Sequence, residues 1–518
     1  MVHGDLMRSM ARRNPDGTAI VFEDKSFTWK QANERINRLG NALLSLGLAK
    51  GDRVAIFAQN SHRYAEIYFA LAKTGLISVP INWLNTAREA AYILDHSEAK
   101  AVIVDEQYLP LIGSLGSQLQ SLKHLIRMGE GGAGGLDYES LLAQHSSAEP
   151  AVEVLPDDLR ALVYTSGTTG MPKGCMTTHR QSLSSFANLL IEIPVPLEQP
   201  TLLPVPFFTG FGAHLCLDAP YSRSTMVILK RFQPTAVFEA IERYRIAHMC
   251  LVPTMITALC NAPDIGNYDL GSLRLIIYGG SPIAPTVLKR AMAALPCGFC
   301  QVFGTAEAGG LVAYLTPADH ALDGSEIKEK RLLSTGREAL YAEIRLVDDN
   351  GAEVPSNEPG EVIVRSESSF SGYWKMPEKT AETIRDGWVY TGDVAYRDED
   401  GYIFIADRKK EMIVSGGVNI YPAEIEAVLY AHPAVAQAAV IGVPDPHWGE
   451  AVKAVIELKK GAQTTPEQII DFCKERLSGY KKPKSVEFVE SLPVSSSGKV
   501  AKRELRERYW QGQVRRVN

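Results

Sequence analysis

The chain has 518 residues, which is too many for one hydrophobic core, so we expect at least two domains. An apolar fraction of 45% and a charged fraction of 22% are ordinary for a globular protein, and the net charge of −6 argues against a general nucleic-acid binder. The first fifteen residues lack the apolar core of a secretory signal, and no stretch approaches about 18 uncharged apolar residues, so we expect no membrane span.

Helices and strands alternate in the first part of the chain. Thr28 and Gln31 form a capping box for a helix over 28–46, and Thr86 with Glu89 does the same for a later helix. A further helix over 62–74 precedes an apolar run at 76–80, which reads as a strand. This alternation predicts an α/β protein with substantially parallel sheets.

Two cysteine and glycine patterns have simple structural explanations. The run 129–135 reads GEGGAGG, and without a strand-to-helix context we expect a flexible surface loop, with a phosphate loop as the alternative. Cys297 and Cys300 form a lone CxxC beside an apolar segment, which favours core packing over metal or redox chemistry. Seven cysteines, an odd number, favour reduced thiols and a cytoplasmic location.

The most informative segment is 164–174, which reads YTSGTTGMPKG and follows an apolar strand at 161–163. Its glycines allow backbone N–H groups to approach an anion, and its hydroxyls and lysine add donors, as a polyphosphate requires. It is not a Walker loop, because Lys173 is followed by glycine and not by serine or threonine. The next helix starts only after a capping box of Thr178 and Gln181, so we expect the loop to join two strands, with a polar surface loop as the alternative.

The rest of the chain divides into two regions with different sequence patterns. From about residue 335, short strands and turns predict a β-rich subdomain, and after Lys410 about 108 residues mix helices and strands as a separate small domain would. The part from Arg408 onward carries 18 Lys/Arg against 13 Asp/Glu, a net +5, whereas the remainder carries −11. A basic C-terminal part suits a phosphate-rich partner, and a solvated lysine-rich surface is the alternative.

Segment 164–174 resembles the phosphate loop of the adenylate-forming superfamily, which contains acyl-CoA synthetases, peptide-synthetase adenylation domains and beetle luciferases. The resemblance continues in family order at 279–282 (GGSP), 301–307 (QVFGTAE), 390–393 (YTGD), 407–410 (DRKK), 416–426 (GGVNIYPAEIE) and 497–499 (SGK). It implies an N-terminal adenylation domain over 1–407 whose β-rich subdomain covers about 335–407. A hinge at 408–411 and a mobile α+β C-terminal domain over 412–518, which carries the catalytic lysine, would follow.

The resemblance also implies a nucleotide site. The phosphates of ATP would be held by Thr165, Ser166, Gly167, Thr168, Thr169, Gly170 and Lys173. Mg²⁺ would be bound by Glu307 and Thr168, and these two are expected to act in catalysis with Lys499; a carboxylate suits a hard cation. The adenosine would contact Gly280, Ser281, Phe303, Gly304, Thr305, Asp393 and Arg408. Without the resemblance, Glu307 would read as a solvated surface residue and Asp393 as a turn residue.

Two residues in this site depart from the family pattern. Phe303 stands where the family usually has tyrosine, and its ring face can still stack on adenine. Ala306 stands where threonine is usual, which removes a hydroxyl expected near the α-phosphate. We expect the second change to affect rate more than reaction type.

The C-terminal residues would serve the second half-reaction. Lys410 resembles the hinge about which the small domain rotates, withdrawing Lys499 after adenylation. Gly416 and Gly417 would line the pantetheine tunnel, because glycine permits close approach. Other coenzyme A contacts implied by the resemblance are Trp448, Tyr480, Lys482 and Lys484. For the last three, a basic surface patch is the alternative.

The acyl site is expected at 206–212, Gly280 and 304–310, with substrate contacts from Phe208, Thr209, Phe211, Gly280, Gly304 and Gly309. Amino-acid-activating relatives have aspartate where Thr209 falls, so we expect an uncharged apolar acid, medium- to long-chain or aromatic. The predicted activity is acyl-adenylate formation from ATP and a small carboxylic acid, then transfer to coenzyme A. A different acceptor and a non-catalytic binding protein remain alternatives. A homodimer is possible and no nucleic acid is expected. Because the sequence ends soon after Lys499, we expect no carrier-protein domain.

Overall fold

The computed structural model describes residues 1–115, 119–129, 134–165, 171–281, 283–408, 411–415, 418–493 and 500–510. The strands of these residues form four sheets. The first part contains α1 (His3–Arg13), β1 (Thr18–Phe22), β2 (Lys25–Thr28), α2 (Trp29–Ser45), β3 (Arg53–Phe57), α3 (His62–Thr74), β4 (Ile77–Pro80), α4 (Ala87–His96), β5 (Ala101–Asp105), α5 (Leu109–Leu115), β6 (His124–Met128), β7 (Leu136–Asp137), α6 (Tyr138–Gln144), β8 (Leu159–Thr165) and β9 (Lys173–Thr178).

The second part completes the αβ layers. It contains α7 (His179–Glu192), β10 (Thr201–Leu203), α8 (Gly210–Asp218), β11 (Met226–Ile228), α9 (Pro234–Tyr244), β12 (His248–Leu251), α10 (Pro253–Asn261), β13 (Leu275–Gly279), α11 (Pro285–Ala294), β14 (Gly298–Phe303), β15 (Ala313–Leu315), α12 (Pro317–His320), α13 (Glu326–Arg331) and β16 (Arg337–Glu338). One sheet has seven strands in the order β7-β6-β5-β3-β4-β8-β9, and the other has nine in the order β16-β15-β14-β13-β12-β10-β11-β1-β2.

Strand periodicity explains how these two sheets share one core. In β3, Val54 and Ile56 face a core that contains residues of both sheets, whereas Ala55 and Phe57 face a second cluster with α4 and α5. Successive strand residues point to opposite faces, so β3 is buried on both sides. The ladders are mostly parallel, with antiparallel strands at the edges, and α3 lies in the shared layer with nearly every residue buried.

The last two sheets are smaller. An antiparallel sheet is built from β17 (Ala342–Val347), β18 (Gly360–Ser366), β19 (Ile384–Arg385), β20 (Trp388–Arg397) and β21 (Ile403–Arg408), with α14 (Pro377–Thr383) beside it. A final α+β unit contains β22 (Ile413–Ser415), β23 (Val418–Ile420), α15 (Pro422–Tyr430), β24 (Val435–Asp445), β25 (Gly449–Leu458), α16 (Pro466–Lys474), β26 (Ser485–Val489) and α17 (Lys502–Glu507). Its core is separate from the others.

The predicted fold class is confirmed: the chain is an α/β protein with a large N-terminal part and a small C-terminal unit. The three predicted capping boxes are present at Thr28, Thr86 and Thr178, each accepting the N–H of the residue three positions on. In the described residues, no helix combines the length and apolar character needed to cross a bilayer. All seven cysteines are free thiols; Cys300 is buried in the core shared by the two large sheets, and Cys297 packs against a second apolar cluster on the nine-stranded sheet.

Candidate active site

The predicted phosphate loop connects two antiparallel strands at the edge of the seven-stranded sheet. β8 and β9 pair from Leu159 to Thr165, with a register shift between Leu159 and Ala161, and Thr165 lies opposite Lys173. This arrangement confirms that the loop joins two strands and does not open a helix. Thr165 and Lys173 therefore stand side by side where the hairpin opens. The other predicted loop residues, Ser166, Gly167, Thr168, Thr169 and Gly170, lie outside the described residues.

A tyrosine connects the loop lysine to the predicted metal ligand. The Lys173 ammonium lies 3.9 Å from the centre of the Tyr373 ring, a cation–π contact. The Tyr373 hydroxyl donates to Glu307 Oε1 over 2.8 Å. Burial, with the nearby Glu307 charge, raises the pKa of Tyr373, so its hydroxyl stays protonated and remains a donor. The structure thus brings Lys173 and Glu307 to one place through a residue that the sequence analysis did not identify.

Tyr373 is positioned by backbone pairing. The segment 372–374 lies along β9, with the N–H of Met176 donating to Gly372 O and the N–H of Trp374 donating to Gly174 O. The Phe370 N–H also donates to the backbone oxygen of Glu307. These bonds fix the distance between the hairpin and Glu307. Ala306 packs against the apolar cluster around Cys175 and Tyr373, which explains why a methyl group fits at this position.

The predicted adenosine contacts lie where two parallel strands end. β13 and β14 pair as far as Gly279 with Val302, so Gly280 and Phe303 stand at the same sheet edge, where open α/β sheets bind ligands. Gly280 has a φ of +87°, which favours glycine. Ser281 follows directly. Phe303 packs partly against the core of the antiparallel sheet, so only part of its ring is free for stacking.

The predicted ribose contacts form an ion pair. Asp393 and Arg408 are partners across β20 and β21, and Arg408 Nε lies 3.1 Å from Asp393 Oδ1. The Asp393 carboxylate raises the pKa of Arg408, and Glu307 contributes to the same field. Asp393 is almost fully buried, whereas about half of the Arg408 side chain is exposed. A half-exposed guanidinium at the end of a strand is available to a ligand.

The residues around the predicted hinge carry buried charges. Asp407 accepts the N–H groups of Arg408 and Ala423, and burial raises its pKa to about 6. Lys502, from the C-terminal unit, lies 2.8 Å from Glu426 and 3.7 Å from Glu411. Lys410 itself lies outside the described residues, as do Gly416, Gly417 and Lys499.

The structure brings together two of the predicted coenzyme A contacts, Trp448 and Lys484. Trp448 is 45% exposed, and the Lys484 ammonium lies 5.0 Å from the centre of one of its rings. Ser415, which precedes the two glycines, pairs with Gly449 beside Trp448. Tyr480 is 54% exposed, and its neighbour Lys481 pairs with Glu424 over 2.7 Å. The structure gives no contact that assigns a role to Lys482.

The predicted acyl site begins at the N-terminus of α8. Thr209 caps this helix, because its Oγ1 accepts the Gly212 N–H over 2.9 Å and donates to Pro206 O over 2.7 Å. Phe208 and Phe211 are partly buried, and Phe208 contacts Trp83 edge to face. Phe207, which the sequence placed around the pocket, instead packs into the core at 1% exposure.

Two glycines of segment 304–310 are required by close backbone contacts. A Cβ on Gly304 would lie 1.3 Å from Gly310 O, and a Cβ on Gly309 would lie 1.7 Å from Ser368 O. Gly309 also has a φ of +86°. Thr305 Oγ1 accepts the Ala308 N–H over 3.0 Å and closes the turn. The structure therefore gives these glycines a backbone role beside their predicted contact with substrate.

The residues present fit a Mg²⁺ ion that is shared with substrate phosphates. Glu307 is a half-buried carboxylate whose Oε1 accepts the Tyr373 hydroxyl. Mg²⁺ in such sites uses one or two protein carboxylates together with phosphates and water. Within the described ranges there is no cluster of three or more metal-binding side chains. Thr168, the other predicted ligand, lies outside those ranges.

Comparison with known proteins identifies the family. The AMP-binding enzyme family matches residues 7–374, and the AMP-binding enzyme C-terminal domain matches residues 424–499. The fatty acid–[acyl-carrier-protein] ligase ScoC of Streptomyces coeruleorubidus is 35% identical over 98% of this chain and 96% of its own. A feruloyl-CoA synthase of an Amycolatopsis species is 36% identical over 96% and 97%.

A solved structure agrees with this result. The amide bond synthetase McbA from Marinactinospora thermotolerans superposes with a TM-score of 0.88 at 29% identity, covering 98% of this chain and 100% of that one. The two family matches together cover residues 7–374 and 424–499, and the relatives and the solved structure cover 96–98% of this chain. The chain therefore belongs to the AMP-binding enzymes of the adenylate-forming superfamily, among the relatives of the acyl-CoA synthetases.

Proposed function

We propose that this protein is an AMP-forming carboxylate–CoA ligase. In the first half-reaction a carboxylate oxygen of the acid attacks the α-phosphorus of ATP and pyrophosphate leaves, which gives an acyl-adenylate. In the second, the thiol sulfur of coenzyme A attacks the acyl carbon, the thiol proton is lost to solvent and AMP leaves. The observation that carries the proposal is the Lys173–Tyr373–Glu307 contact at the mouth of the β8–β9 hairpin.

The described side chains suit the first half-reaction. Lys173 places a positive charge where the β- and γ-phosphates would lie, and Arg408 with Asp393 offers one donor and one acceptor for ribose hydroxyls. Glu307 and Thr168 would hold Mg²⁺, which when bound neutralises phosphate charge and orients the leaving pyrophosphate. Lys499 would stabilise charge at the α-phosphate, as its position in the family motif implies. Positioning and electrostatics dominate such catalysis.

The preferred acid is a medium- to long-chain or aromatic monocarboxylate. Thr209 uses its hydroxyl to cap α8, so it offers no charge to an α-ammonium group. A buried ammonium without a carboxylate partner would cost several kcal/mol, which disfavours amino acids. Each buried methylene favours binding by about 0.8 kcal/mol, so two or three carbons beyond acetate should raise kcat/KM by at least ~10-fold.

Coenzyme A is the preferred acceptor. The exposed Trp448 beside Lys484, in a C-terminal part with a net charge of +5, supports a partner that combines an aromatic base with phosphates. The feruloyl-CoA synthase supports the same acceptor. ScoC is named a ligase for acyl-carrier protein and McbA an amide bond synthetase, so a carrier-protein thiol and an amine are the two alternative acceptors.

One assay separates these acceptors. Pyrophosphate release should be measured with acetate, octanoate, cinnamate, benzoate and alanine, first without an acceptor and then with coenzyme A, a phosphopantetheinylated carrier protein or a simple amine. We expect turnover with octanoate or an aromatic acid to rise most with coenzyme A, with an acyl-CoA as product. If turnover rose most with the carrier protein or with the amine, that compound and not coenzyme A would be the acceptor. A preference for acetate or alanine would contradict the pocket assignment, and no pyrophosphate with any acid would contradict adenylation.

A further inference from the structure

Two polar side chains interrupt the apolar layer between the two large sheets. Ser185 lies on the buried face of α7 and His214 on α8, where the neighbouring Phe186 and Leu215 belong to the shared core. Ser185 is fully buried. Its Oγ and the Nε2 of His214 are buried atoms that have no hydrogen-bond partner among the described residues. A buried polar atom without a partner costs free energy, so each such atom requires an explanation.

Both groups face the proposed acyl site. A Cβ built on Gly310 would lie 3.1 Å from Ser185 Oγ and 4.0 Å from His214 Nδ1. Gly310 ends the turn that begins at Gly304, next to the predicted adenosine contacts. His214 keeps a small part of its surface accessible, although its neighbours Ala213 and Leu215 on α8 are buried. The ring is held by an edge-to-face contact with Phe186 at 4.2 Å between ring centres.

The chemistry of this pair favours a neutral partner. Burial, assisted by the Arg160 charge, lowers the pKa of His214 to about 3, so its imidazole is neutral near pH 7. A neutral imidazole has one N–H donor and one acceptor nitrogen, and a serine hydroxyl can also do both. A hydroxyl group of a ligand can therefore donate to one side chain and accept from the other. An ionised carboxylate can only accept hydrogen bonds, so it would pair with the donors of Ser185 and His214 and leave their acceptor atoms unpaired.

We propose that Ser185 and His214 bind a hydroxyl group at the far end of the substrate's acyl part. This inference rests on the proposed function and narrows its substrate class to acids that carry an alcohol or phenol distant from the reacting carboxylate. A site with buried hydrogen-bonding groups discriminates against an analogue that lacks the hydroxyl, because its own groups then stay unpaired. The remaining lining is apolar, so a hydrocarbon chain or ring would connect the two ends.

Arg160 provides the competing explanation. Its side chain is buried, its Nε has no hydrogen-bond partner in the described ranges, and it acts on His3, His179 and His214 together. A distal carboxylate could neutralise it. We favour the hydroxyl because Ser185 and His214 are the side chains that a Cβ built on Gly310 would meet, and Arg160 is not among them.

The test uses matched pairs of acids that differ by one group. Pyrophosphate release is measured with octanoate, 8-hydroxyoctanoate and octanedioate, and with cinnamate and 4-hydroxycinnamate, for the full chain and for the Ser185→Ala and His214→Phe variants. In at least one pair we expect the hydroxy acid to exceed its parent in kcat/KM by roughly tenfold. Each variant should reduce that ratio to about twofold or less. Ser45→Ala, a serine on α2 outside the site, should leave the ratio unchanged.

The outcomes separate this inference from the function on which it rests. Parent acids that turn over as well as their hydroxy forms would overturn the inference and leave the ligase activity standing. A clear preference for octanedioate would assign the distal site to Arg160 and also overturn it. If His214→Phe does not fold, Ser185→Ala decides, because it removes one unpaired buried hydroxyl and creates little space. No pyrophosphate with any acid would contradict the proposed function, and the inference with it.

Discussion

Replacing Tyr373 by phenylalanine tests the contact on which the proposed function depends. The change removes the hydroxyl that donates to Glu307 Oε1 over 2.8 Å and keeps the ring that lies 3.9 Å from the Lys173 ammonium. A hydrogen bond to a charged acceptor contributes about 1.5–3 kcal/mol. Because Glu307 is only half-buried, we take the lower part of this range, about 1.5–2 kcal/mol, which corresponds to a roughly 10- to 30-fold change in rate.

The loss should appear in the use of MgATP. We expect kcat/KM for ATP in pyrophosphate release to fall by roughly 10- to 30-fold in Tyr373→Phe, because Glu307 is no longer held in the orientation that a bound cation requires. The deficit should shrink as free Mg²⁺ is raised. KM for the acid should change little, since Tyr373 is not among the predicted substrate contacts.

Tyr402→Phe is the matched control. The Tyr402 hydroxyl also donates to a carboxylate, Asp319 Oδ1, over 2.6 Å, and neither residue belongs to the nucleotide site. This variant should lose some thermal stability and keep its kcat/KM for ATP. If Tyr373→Phe stays within twofold of the unmodified protein, or if both variants lose ATP use equally, Glu307 is not positioned by Tyr373 in the way we describe.

Four further variants test the remaining site residues. Asp393→Ala should raise KM for ATP by at least ~10-fold, since ribose loses a charged acceptor; an unchanged KM would remove Asp393 from the site. Lys499→Ala should abolish adenylate formation and largely spare thioester formation from a preformed acyl-adenylate, and equal loss in both would indicate a structural role. Lys410→Pro should do the reverse, because proline fixes φ at the hinge; normal turnover with coenzyme A would refute it. Thr209→Asp keeps a helix cap but adds a charge, so kcat/KM for the best apolar acid should fall at least ~10-fold with unchanged melting temperature, whereas Thr209→Ser should change neither.

Local sequence signals predicted the elements and their order. The capping box of Thr178 and Gln181 marked the start of α7, and the apolar run before Thr165 marked β8, because both depend on residues close in the chain. The alternation of helices and strands predicted the parallel sheets, because it too depends on residues that are close in the chain. The ordered motifs placed Glu307, Asp393 and Arg408, and the structure brings Glu307 into contact with the phosphate hairpin through Tyr373.

The parts that the sequence did not reveal depend on contacts between distant residues. Tyr373 and Glu307 are separated by 66 positions, and nothing near Tyr373 indicates which carboxylate it meets. Ser185 and His214 are ordinary residues on their own helices, and only the packing of α7 against α8 leaves Ser185 Oγ and His214 Nε2 buried without a hydrogen-bond partner among the described residues. A serine or histidine on the apolar face of a helix was the one available signal. The prediction placed Phe207 at the pocket, whereas this residue lies in the core, because strand and helix periodicity do not apply in the short turn before Thr209.

The strand-like pairing of segment 372–374 with β9 also matters for protein engineering. This segment belongs to the stretch between the nine-stranded sheet and α14, yet its hydrogen bonds complete the edge of the seven-stranded sheet. A fragment cut near residue 340 would expose that edge and separate Glu307 from Tyr373. Chimaeras with related enzymes should therefore be joined at 408–411, between the last strand of the antiparallel sheet (β21) and the first strand of the C-terminal unit (β22). A junction there divides no ladder of the described strands. A junction at the start of the antiparallel sheet should be avoided.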